Sequence, residues 1–322
     1  MNLINKNILV IGGAGFIGSH TVDLLIKEKP KKIIIYDNFS RGSLENLRSS
    51  LKSPLVEIFK DGGDICHYEI LNKAMQGIDI VFHFSALWLL HCAEYPNSAF
   101  KVNIEGTYNV FKACVDNKVK KIIFSSSASV YGDAVTKYME ESHPFNNKNF
   151  YGATKIAGEA ILESFHHTYG LNYVGLRYMN VYGERQDYKG AYIAVIMKII
   201  DNIQNNKSPV LFGDGKEAFD FINVIDCARA NISAAKSNRK RGFFNVCTGI
   251  QTDLYSLTLM ILNLMKSNLP IKFKSIDNKN LVKNRIGSPK KAYSEINFKF
   301  SINLEKGLKK LIKWKLNQKN HI

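Results

Sequence analysis

The sequence predicts an α/β fold in which a doubly wound parallel sheet carries helices on both faces. Short apolar segments rich in β-branched residues alternate with helix-patterned segments over the first half of the chain, and this alternation is typical of a parallel sheet with crossover helices. A glycine-rich turn directly follows the first apolar segment. The chain has 322 residues, 45% of them hydrophobic, which is enough to form a large core in two closely joined lobes.

The pattern of apolar residues predicts the individual strands and helices in chain order. Strands are predicted at about residues 8–11, 32–36, 56–59, 80–84, 121–125 and 173–177. Helices are predicted at residues 15–29, 71–75, 99–117 and 151–169. The apolar run at residues 81–93 is too short to span a bilayer, and we interpret it as a buried strand that continues into a loop.

From about Met179 the alternation of short strands and helices gives way to longer loops and helices, which predicts a smaller, mixed α/β second lobe. We therefore divide the chain into a first domain over residues 1–178 and a second lobe over residues 179–322. A segment at about residues 220–246 is expected to return to the first domain. The basic end of the chain places apolar residues on one helical face, which predicts a final helix packed on its own domain; they are Leu304, Leu308, Leu311, Ile312 and Trp314.

Composition excludes several classes of protein. The formal charge is +16, but the lysines are spread along the chain and no nucleic-acid motif is present, so we expect no nucleic-acid partner. The five cysteines are scattered, without a CxxC pair or a Cys/His cluster, so neither a disulfide framework nor a metal site is expected. The start of the chain lacks a signal-peptide pattern. We expect a cytoplasmic protein that does not insert into membranes.

The glycine-rich turn has the spacing Gly-x-x-Gly-x-x-Gly and lies between the first strand and the first helix. Gly12 permits a tight turn, Gly15 lets the backbone approach a pyrophosphate, and Gly18 lets the helix pack closely on the strand. The start of the helix supplies free N–H groups and a positive dipole end for phosphates. In this strand–helix context the turn indicates a dinucleotide site.

Asp37 ends the second predicted strand, where a carboxylate accepts hydrogen bonds from both adenosine-ribose hydroxyls and repels a 2′-phosphate. Arg41 lies close by and is a residue type that accommodates that phosphate. Because Asp37 stands at the strand end itself, we predict NAD rather than NADP as the cofactor.

A serine triplet ends the fifth predicted strand, at the sheet edge where ligands of open α/β sheets bind. Tyr151 and Lys155 follow four residues apart and share one helical face. A neighbouring ammonium group and the positive nicotinamide of NAD would lower the pKa of Tyr151. With Ser127 holding a substrate oxygen, these groups form a proton-transfer site beside a hydride acceptor.

Taken together, these motifs resemble those of the extended short-chain dehydrogenase/reductases, in the NAD-dependent sugar-nucleotide epimerase/dehydratase group. The resemblance covers nearly the whole chain and is greatest to UDP-sugar 4-epimerases. It rests on the segments GGAGFIGSH, DNFSRGSLENL, GDI, HFSAL, VNIEGTYNV, SSSASVYG, YGATK, LRYMNVYGERQ and RIGSPKKA. It implies that residues 1–178 form an NAD-binding Rossmann domain and that residues 179–322 bind the substrate.

The resemblance also implies roles for individual residues. The catalytic residues would be Ser127, Tyr151 as the base and Lys155 as its partner. The NAD site would comprise Gly12, Gly15, Phe16, Ile17, Gly18, Asp37, Asn38, Ser40, Arg41, Gly42, Asp64, Ile65, Phe84, Ala86, Asn103, Ser125, Tyr151, Lys155 and Met179. A nucleotide-diphosphate sugar would contact Ser127, Ser129, Tyr151, Asn180, Tyr192 and Arg285.

Three positions depart from the family pattern. Phe219 stands where an arginine for the substrate phosphates is usual, and Trp88 stands where galactose-type epimerases have a lysine. Arg285 lies in an unusual context, as a candidate ligand of the diphosphate, a candidate ligand of a sugar carboxylate, or a structural residue.

The function that the resemblance implies is NAD-dependent 4-epimerisation of a UDP-sugar of the glucose, N-acetylglucosamine or glucuronate type, through transient oxidation of C4 to a 4-keto sugar. A dehydratase, decarboxylase or keto-reductase of the same family is the alternative. Dehydratases usually carry an Asp-Glu pair where Ala128 and Ser129 stand, and Asp37 disfavours an NADPH-dependent reductase. A non-catalytic NAD-binding regulator is a more distant alternative, and a homodimer is also implied.

Overall fold

A seven-stranded parallel sheet forms the centre of the molecule in the computed structural model, which describes residues 2–187, 195–275 and 284–318. The strands of the first half are β1 Asn7–Ile11, β2 Lys32–Tyr36, β3 Val56–Ile58, β4 Ile80–His83, β5 Lys121–Ser127 and β6 Tyr173–Tyr178. Those of the second half are β7 Asn180–Tyr182, β8 Val210–Phe212, β9 Ala218–Phe219, β10 Phe221–Asn223, β11 Phe243–Val246, β12 Thr252–Asp253, β13 Lys272–Lys274 and β14 Asn284–Arg285.

Helices surround the sheet and build most of the second half. In the first half they are α1 Phe16–Lys27, α2 Leu44–Leu47, α3 Tyr68–Ala74, α4 Leu89–Glu94, α5 Pro96–Ala99, α6 Thr107–Asp116 and α7 Phe150–Tyr169. In the second half they are α8 Val195–Gln204, α9 Val224–Lys236, α10 Leu254–Leu264, α11 Lys290–Ile296 and α12 Leu304–Gln318. A π-helical segment, Phe100–Gly106, joins α5 to α6, and short 3₁₀ turns span Ser50–Lys52 and Ala128–Val130.

The large sheet has the order β11-β6-β5-β4-β1-β2-β3, and its strand pairs are parallel. The α/β doubly wound class predicted from the sequence is therefore confirmed. The strand order reverses between β1 and β4, which is the place where such sheets bind ligands. The register aligns Ile11 with Tyr36 on one side and with His83 on the other. The residues that follow β1, β2 and β4 consequently reach one sheet edge.

Apolar clusters fill both sides of this sheet. One lies against α1 and α9 and includes Val22, Leu25 and Ala230, and the other lies against α3, α6 and α7 and includes Leu71, Phe111 and Leu162. These strands are buried on both faces, which explains their continuous apolar sequences.

Helix α9 and strand β11 of the second half contact elements of the first half. Strand β11 pairs with β6, with Phe243 opposite Gly175 and Val246 opposite Tyr178. The Asn231 side chain in α9 donates a hydrogen bond to Thr21 Oγ1 of α1 at 3.0 Å. The assignment of residues 1–178 and 179–322 to two domains stays a prediction.

Two sequence expectations differ from the structure. Residues 89–94 form helix α4 instead of a continuing loop, and Trp88 precedes its first turn. The single helix predicted at residues 99–117 is divided into α5, the π-helical segment and α6. A periodicity argument assumes one helical period and does not detect a change of hydrogen-bonding pattern within an amphipathic segment.

A third apolar cluster lies in the second half, where α12 packs as the sequence predicted. Leu308, Leu311 and Ile312 are buried together with residues of α8 and α10. No helix within residues 2–187, 195–275 and 284–318 combines the length and the apolar character that a membrane crossing requires.

Candidate active site

The glycine-rich turn is built so closely that side chains would not fit. Gly12 has φ +75°, and a Cβ atom there would lie 2.8 Å from the backbone nitrogen of Ser85. A Cβ atom on Gly18 would lie 2.1 Å from the carbonyl oxygen of Gly12. Gly15 precedes the first turn of α1, whose N–H groups face outward at this end. The turn therefore offers bare backbone and a helix N-terminus, as a pyrophosphate requires.

A groove of about 1040 Å³ runs from this turn along the sheet edge to Tyr151. Ten of the residues assigned to NAD line it, namely Gly12, Gly15, Phe16, Ile17, Gly18, Arg41, Phe84, Ala86, Ser125 and Tyr151. Its opposite wall comes from later in the chain and includes Val181, Glu184 and Trp314. The space left open by the glycines of the turn, together with the continuous groove, fits an extended dinucleotide.

Asp37 connects the glycine turn to the loop after β2. Its carboxylate accepts hydrogen bonds from the backbone N–H groups of Ala14 and Phe39, each at 2.8 Å. Burial raises the pKa of Asp37, and these two hydrogen bonds oppose that shift. Gly42 completes the contact, because a Cβ atom there would lie 2.7 Å from Ala14 Cβ. Asp37 thus holds the loop on which a ribose would rest.

Arg41 crosses the mouth of the groove. Its guanidinium pairs with Asp187 at 2.6 Å, and its Cζ atom lies 3.7 Å from the centre of the Trp88 ring. These three residues, which we call the clasp, come from three separate loops and all line the groove. Trp88 therefore supports Arg41, at the position where the resemblance implies a lysine in galactose-type epimerases.

Each serine of the triplet contacts a different residue of α7. The carbonyl oxygen of Ser125 accepts a hydrogen bond from Lys155 Nζ at 2.8 Å, and Ser126 Oγ donates to Glu159 at 2.5 Å. The Ser127 side chain hydrogen-bonds with Tyr151. The triplet therefore aligns β5 with the helix that carries the predicted base, through one backbone carbonyl and two side chains.

Tyr151 lies in the first turn of α7, whose N-terminus is capped by the Asn149 side chain accepting from Gly152 N–H at 2.8 Å. Burial raises the pKa of Tyr151 to about 12, while the Ser127 hydrogen bond and the positive charge of Arg285 oppose that rise. The sequence analysis expected Lys155 to lower this pKa. In the protein by itself the opposing groups are Ser127 and Arg285, because Lys155 is turned toward the Ser125 carbonyl.

Lys155 is buried, and its Nζ atom lies 5.7 Å from the centre of the Tyr151 ring. Burial lowers the pKa of Lys155 to about 8, against weaker opposing effects of Cys92 and Glu159. The lysine therefore sits near the base with a proton that is held less tightly than usual.

A buried ion pair below the site was not detected from the sequence. Arg177 in β6 donates two hydrogen bonds to Glu159 in α7, at 2.9 and 2.6 Å, and a third to the Tyr131 hydroxyl at 2.8 Å. Glu159 stands one helical turn after Lys155, so the spacing to the YxxxK motif was the available signal. This network fixes α7 against β5 and β6.

Several residues predicted to bind NAD are not among those that line the groove. Asn103 is buried and holds the loop after β4 through hydrogen bonds with the backbone of Leu87, at 2.7 and 3.0 Å. Asp64 accepts from Cys66 N–H at 2.8 Å, and Ile65 is buried next to it. Asn38 accepts from Ser40 N–H at 3.1 Å within its loop.

The predicted substrate residues differ in how far they approach Tyr151. Ser129 is buried and donates its backbone N–H to Ser127 Oγ at 3.1 Å. Met179 is buried and packs near Gly287, and Asn180 follows it at the start of β7. Tyr192 lies outside the described residues.

Arg285 and Phe219 face each other across a short strand pair. Strand β14 runs parallel to β9, with Arg285 opposite Phe219. The Nε atom of Arg285 is buried and has no hydrogen-bond partner among the described residues. Burial lowers the pKa of Arg285 to about 10, which Asp133 and Tyr151 oppose. The charge of Arg285 therefore acts on the predicted base, from the strand next to the expected arginine position.

A family model described as the NAD dependent epimerase/dehydratase family matches residues 8–247. The chain belongs to this family. NAD is accordingly its cofactor, and the protein is an NAD-dependent sugar-nucleotide epimerase by family, as the sequence analysis predicted.

Individual members of the epimerase/dehydratase family are similar over nearly the full length. A putative UDP-glucose 4-epimerase of Methanocaldococcus jannaschii is 35% identical, over 96% of this chain and 98% of the relative. The solved UDP-N-acetylglucosamine 4-epimerase of Methanobrevibacter ruminantium, in complex with UDP-N-acetylmuramic acid, is 37% identical with a TM-score of 0.91, over 98% and 99% of the two chains. A human dTDP-D-glucose 4,6-dehydratase is 30% identical, over 81% and 74%.

Proposed function

We propose that this protein is a nucleotide-sugar 4-epimerase that acts on a UDP-sugar. The observation that carries the proposal is the arrangement of Ser127, Tyr151 and Lys155 at the end of the NAD groove, without an acidic pair after Ser127. The relatives named as 4-epimerases, which align over nearly the whole chain, support it.

In this mechanism the protein removes one proton from the C4 hydroxyl of the sugar and later returns it. NAD, when bound, supplies the hydride acceptor and donor for C4. Tyr151 acts in its phenolate form: it takes the hydroxyl proton at its oxygen and later returns it, while Ser127 donates a hydrogen bond that stabilises the phenolate. Lys155 contributes positive charge from the same helical face. The buried surroundings keep water away from the transiently oxidised sugar.

Epimerisation requires that the oxidised sugar present its opposite face before the hydride returns. Because the hydride does not have to return to one particular face of C4, we expect a substrate-binding region wide enough for the sugar to rotate. Substrate and cofactor would meet between the sheet edge and the segment from β7 to β9, since Asn180, Phe219 and Arg285 are neighbours there through the pairings of β7 with β10 and of β9 with β14.

A 4,6-dehydratase is the second candidate, since the human relative carries that name. Elimination of water across C5 and C6 needs an acid and a base next to the oxidised C4. Here Ala128 has no such group, and Ser129 is buried with its backbone bound to Ser127. We therefore favour epimerisation, and analysis of products from a panel of nucleotide sugars decides between the two: an irreversibly dehydrated product would refute the proposal.

The role of Tyr151 can be tested by removing one oxygen atom. Tyr151→Phe should lower kcat by about 10²–10⁴-fold, because the proton acceptor is lost while the groove is kept. The increase in Tm on adding NAD should remain. Tyr169→Phe, an identical change at an exposed position of the same helix, is the matched control and should leave kcat unchanged. Full activity in Tyr151→Phe would contradict the mechanism.

The homodimer and the cytoplasmic location that the sequence analysis expects stay predictions, as does the choice of sugar. Size measurements in solution would test the first of these.

A further inference from the structure

Residues 183–187 form a short segment, which we call the strap, between the second half of the chain and the cofactor groove. The strap directly follows β7, and its four residues after Gly183 line the groove. It contains a turn in which Gln186 N–H donates to the Gly183 carbonyl oxygen at 3.3 Å. The strap belongs to the wall opposite the glycine-rich turn, so its position affects the width of the groove.

The backbone of the strap is attached to α1 through His20. The Nε2 atom of His20 lies 2.9 Å from the Glu184 carbonyl oxygen, and because a carbonyl oxygen only accepts hydrogen bonds, Nε2 is the donor. Burial, together with the positive charge of Arg185, lowers the pKa of His20 to about 4. The ring is therefore neutral at neutral pH, and this attachment is a hydrogen bond between neutral groups.

A second attachment to α1 uses the Arg185 side chain. Its Nη2 atom lies 2.7 Å from the Asp23 carboxylate, and the two side chains are only 20% and 28% exposed. Asp23 also accepts a hydrogen bond from the Ser50 hydroxyl. Arg185 has φ +66°, a left-handed conformation that is unfavourable for a residue with a side chain. The ion pair helps to offset this cost, so its loss should let the strap relax.

The strap also carries Asp187, the acidic member of the clasp. Asp187 follows Arg185 by two residues, so their Cα atoms lie within about 7 Å of each other. The Asp187 carboxylate pairs with Arg41 at 2.6 Å. Arg41 belongs to the loop after β2, on which the ribose of NAD is expected to rest, and the ion pair joins that loop to the strap. A displacement of Arg185 would therefore move Asp187 and weaken this connection.

We propose that Arg185 is a positioning residue of the cofactor site. Through its ion pair with Asp23 it holds Asp187 where Asp187 meets Arg41, and it thereby sets how long the cofactor stays bound. This inference concerns retention of the cofactor and goes beyond the proposed function. It also suits that function, because a reduced cofactor must stay in the groove until its hydride returns to C4 of the sugar.

The release rate of NADH tests the proposal. The NADH-loaded protein is mixed with excess NAD, and dissociation is followed by stopped-flow fluorescence. Arg185→Met should release NADH about threefold faster or more, the effect of losing a partly exposed ion pair. Asp23→Asn should have the same effect, and Arg185→Lys, which keeps the charge, should lie between wild type and Arg185→Met. Arg239→Met removes an arginine that pairs with Glu295 and does not line the groove, so it should leave the rate unchanged.

A double-mutant cycle separates positioning from a general loss of stability. Asp187→Asn breaks the ion pair of the clasp directly and should itself accelerate release. If Arg185 acts through Asp187, adding Arg185→Met to Asp187→Asn should change the rate by less than about 1.5-fold, because the two residues then share one effect. Rate increases that multiply in the double variant would show that Arg185 acts by another route, and the assigned role would be wrong.

The other outcomes also decide the question. Unchanged rates in Arg185→Met and Asp23→Asn would overturn the proposal, as would an unchanged rate in Asp187→Asn. If Arg185→Met does not fold, the cycle is measured with Asp23→Asn, which keeps the arginine in place. The measurement contains no sugar, so it is independent of whether the protein is a 4-epimerase, which product analysis tests.

Discussion

Lys155 is a charged residue held where charge is disfavoured. It is 5% exposed, and its Nζ atom donates to a backbone carbonyl rather than to a carboxylate. Burial lowers its pKa from the ordinary 10.5 to about 8. The protein thus accepts a loss of stability to place an ammonium group near Tyr151, as active sites commonly do.

The pH dependence of stability should reveal this residue. Between about pH 8 and the ordinary lysine pKa, the unfolded chain keeps the Lys155 proton and the folded protein has released it, so the contribution of Lys155 to the free energy of unfolding rises with pH. Burial raises the pKa of the Cys114, Cys227 and Cys247 thiols, which contribute a fall in the same range, so the effect of Lys155 is read from the difference between wild type and variant. The contribution of Lys155 approaches about 3 kcal/mol over the full window, since one pKa unit corresponds to about 1.4 kcal/mol. Urea unfolding of the protein without NAD, repeated across this pH range, measures it.

Lys155→Met should remove this contribution, so the slope of the unfolding free energy against pH should be less positive in the variant than in the wild type. Burial also lowers the pKa of Lys121 to about 8, so Lys121 makes a similar contribution, which Lys155→Met keeps and Lys121→Met loses. Identical slopes in wild type and Lys155→Met would show that Lys155 is not perturbed.

At the scale of elements, the buried pair of Arg177 and Glu159 holds helix α7 in register with the serine strand. Its side chains are only 4% and 3% exposed, and the hydrogen bonds of Glu159 reach both β5 and β6. A change here would shift the first turn of α7, where Tyr151 meets Ser127. The pair is therefore a positioning device for the site.

Removing one partner of this pair should be strongly destabilising. Glu159→Ala leaves an uncompensated buried arginine, for which about 3–5 kcal/mol of unfolding free energy is expected to be lost. Glu305→Ala breaks the exposed pair with Lys309 on α12 and should cost at most about 1 kcal/mol. Chemical denaturation of both variants gives the comparison, and similar small losses would contradict the assigned role.

The elements of the sheet were predictable because each strand is a short apolar run bounded by a turn. All six predicted strands occur, and β2 has the predicted ends. Helix α4 was missed because residues 89–94 continue an apolar strand without a capping signal. The contacts of Glu159 and Arg285 could not be predicted, since they depend on which strands become neighbours in space.

At the scale of the whole molecule, the clasp of Arg41, Trp88 and Asp187 connects three loops that line the groove. It combines a cation–π contact with an ion pair, whose partners are 35% and 45% exposed. Sequence motifs placed Arg41 near the cofactor, but its two partners lie far along the chain. The clasp should slow release of the cofactor.

Trp88→Ala should accelerate that release. Loss of a partly exposed cation–π contact is worth about 0.5–1 kcal/mol, which corresponds to a few-fold faster dissociation of NADH, measured by stopped-flow fluorescence. Tyr255→Ala, at an exposed stacked aromatic pair of the second half, should not alter the rate. An unchanged rate in Trp88→Ala would show that the clasp does not limit release.

The return of α9 and β11 to the large sheet has a consequence for the protein during its synthesis. When a ribosome has produced β6, the edge that β11 will cover and the surface of α1 that α9 will cover are still open. Until residue 246 emerges, the nascent chain therefore presents an unpaired strand edge and an apolar helix face, both of which favour aggregation. A chain ending at residue 178 should aggregate under conditions in which the full chain remains dispersed, as light scattering would show.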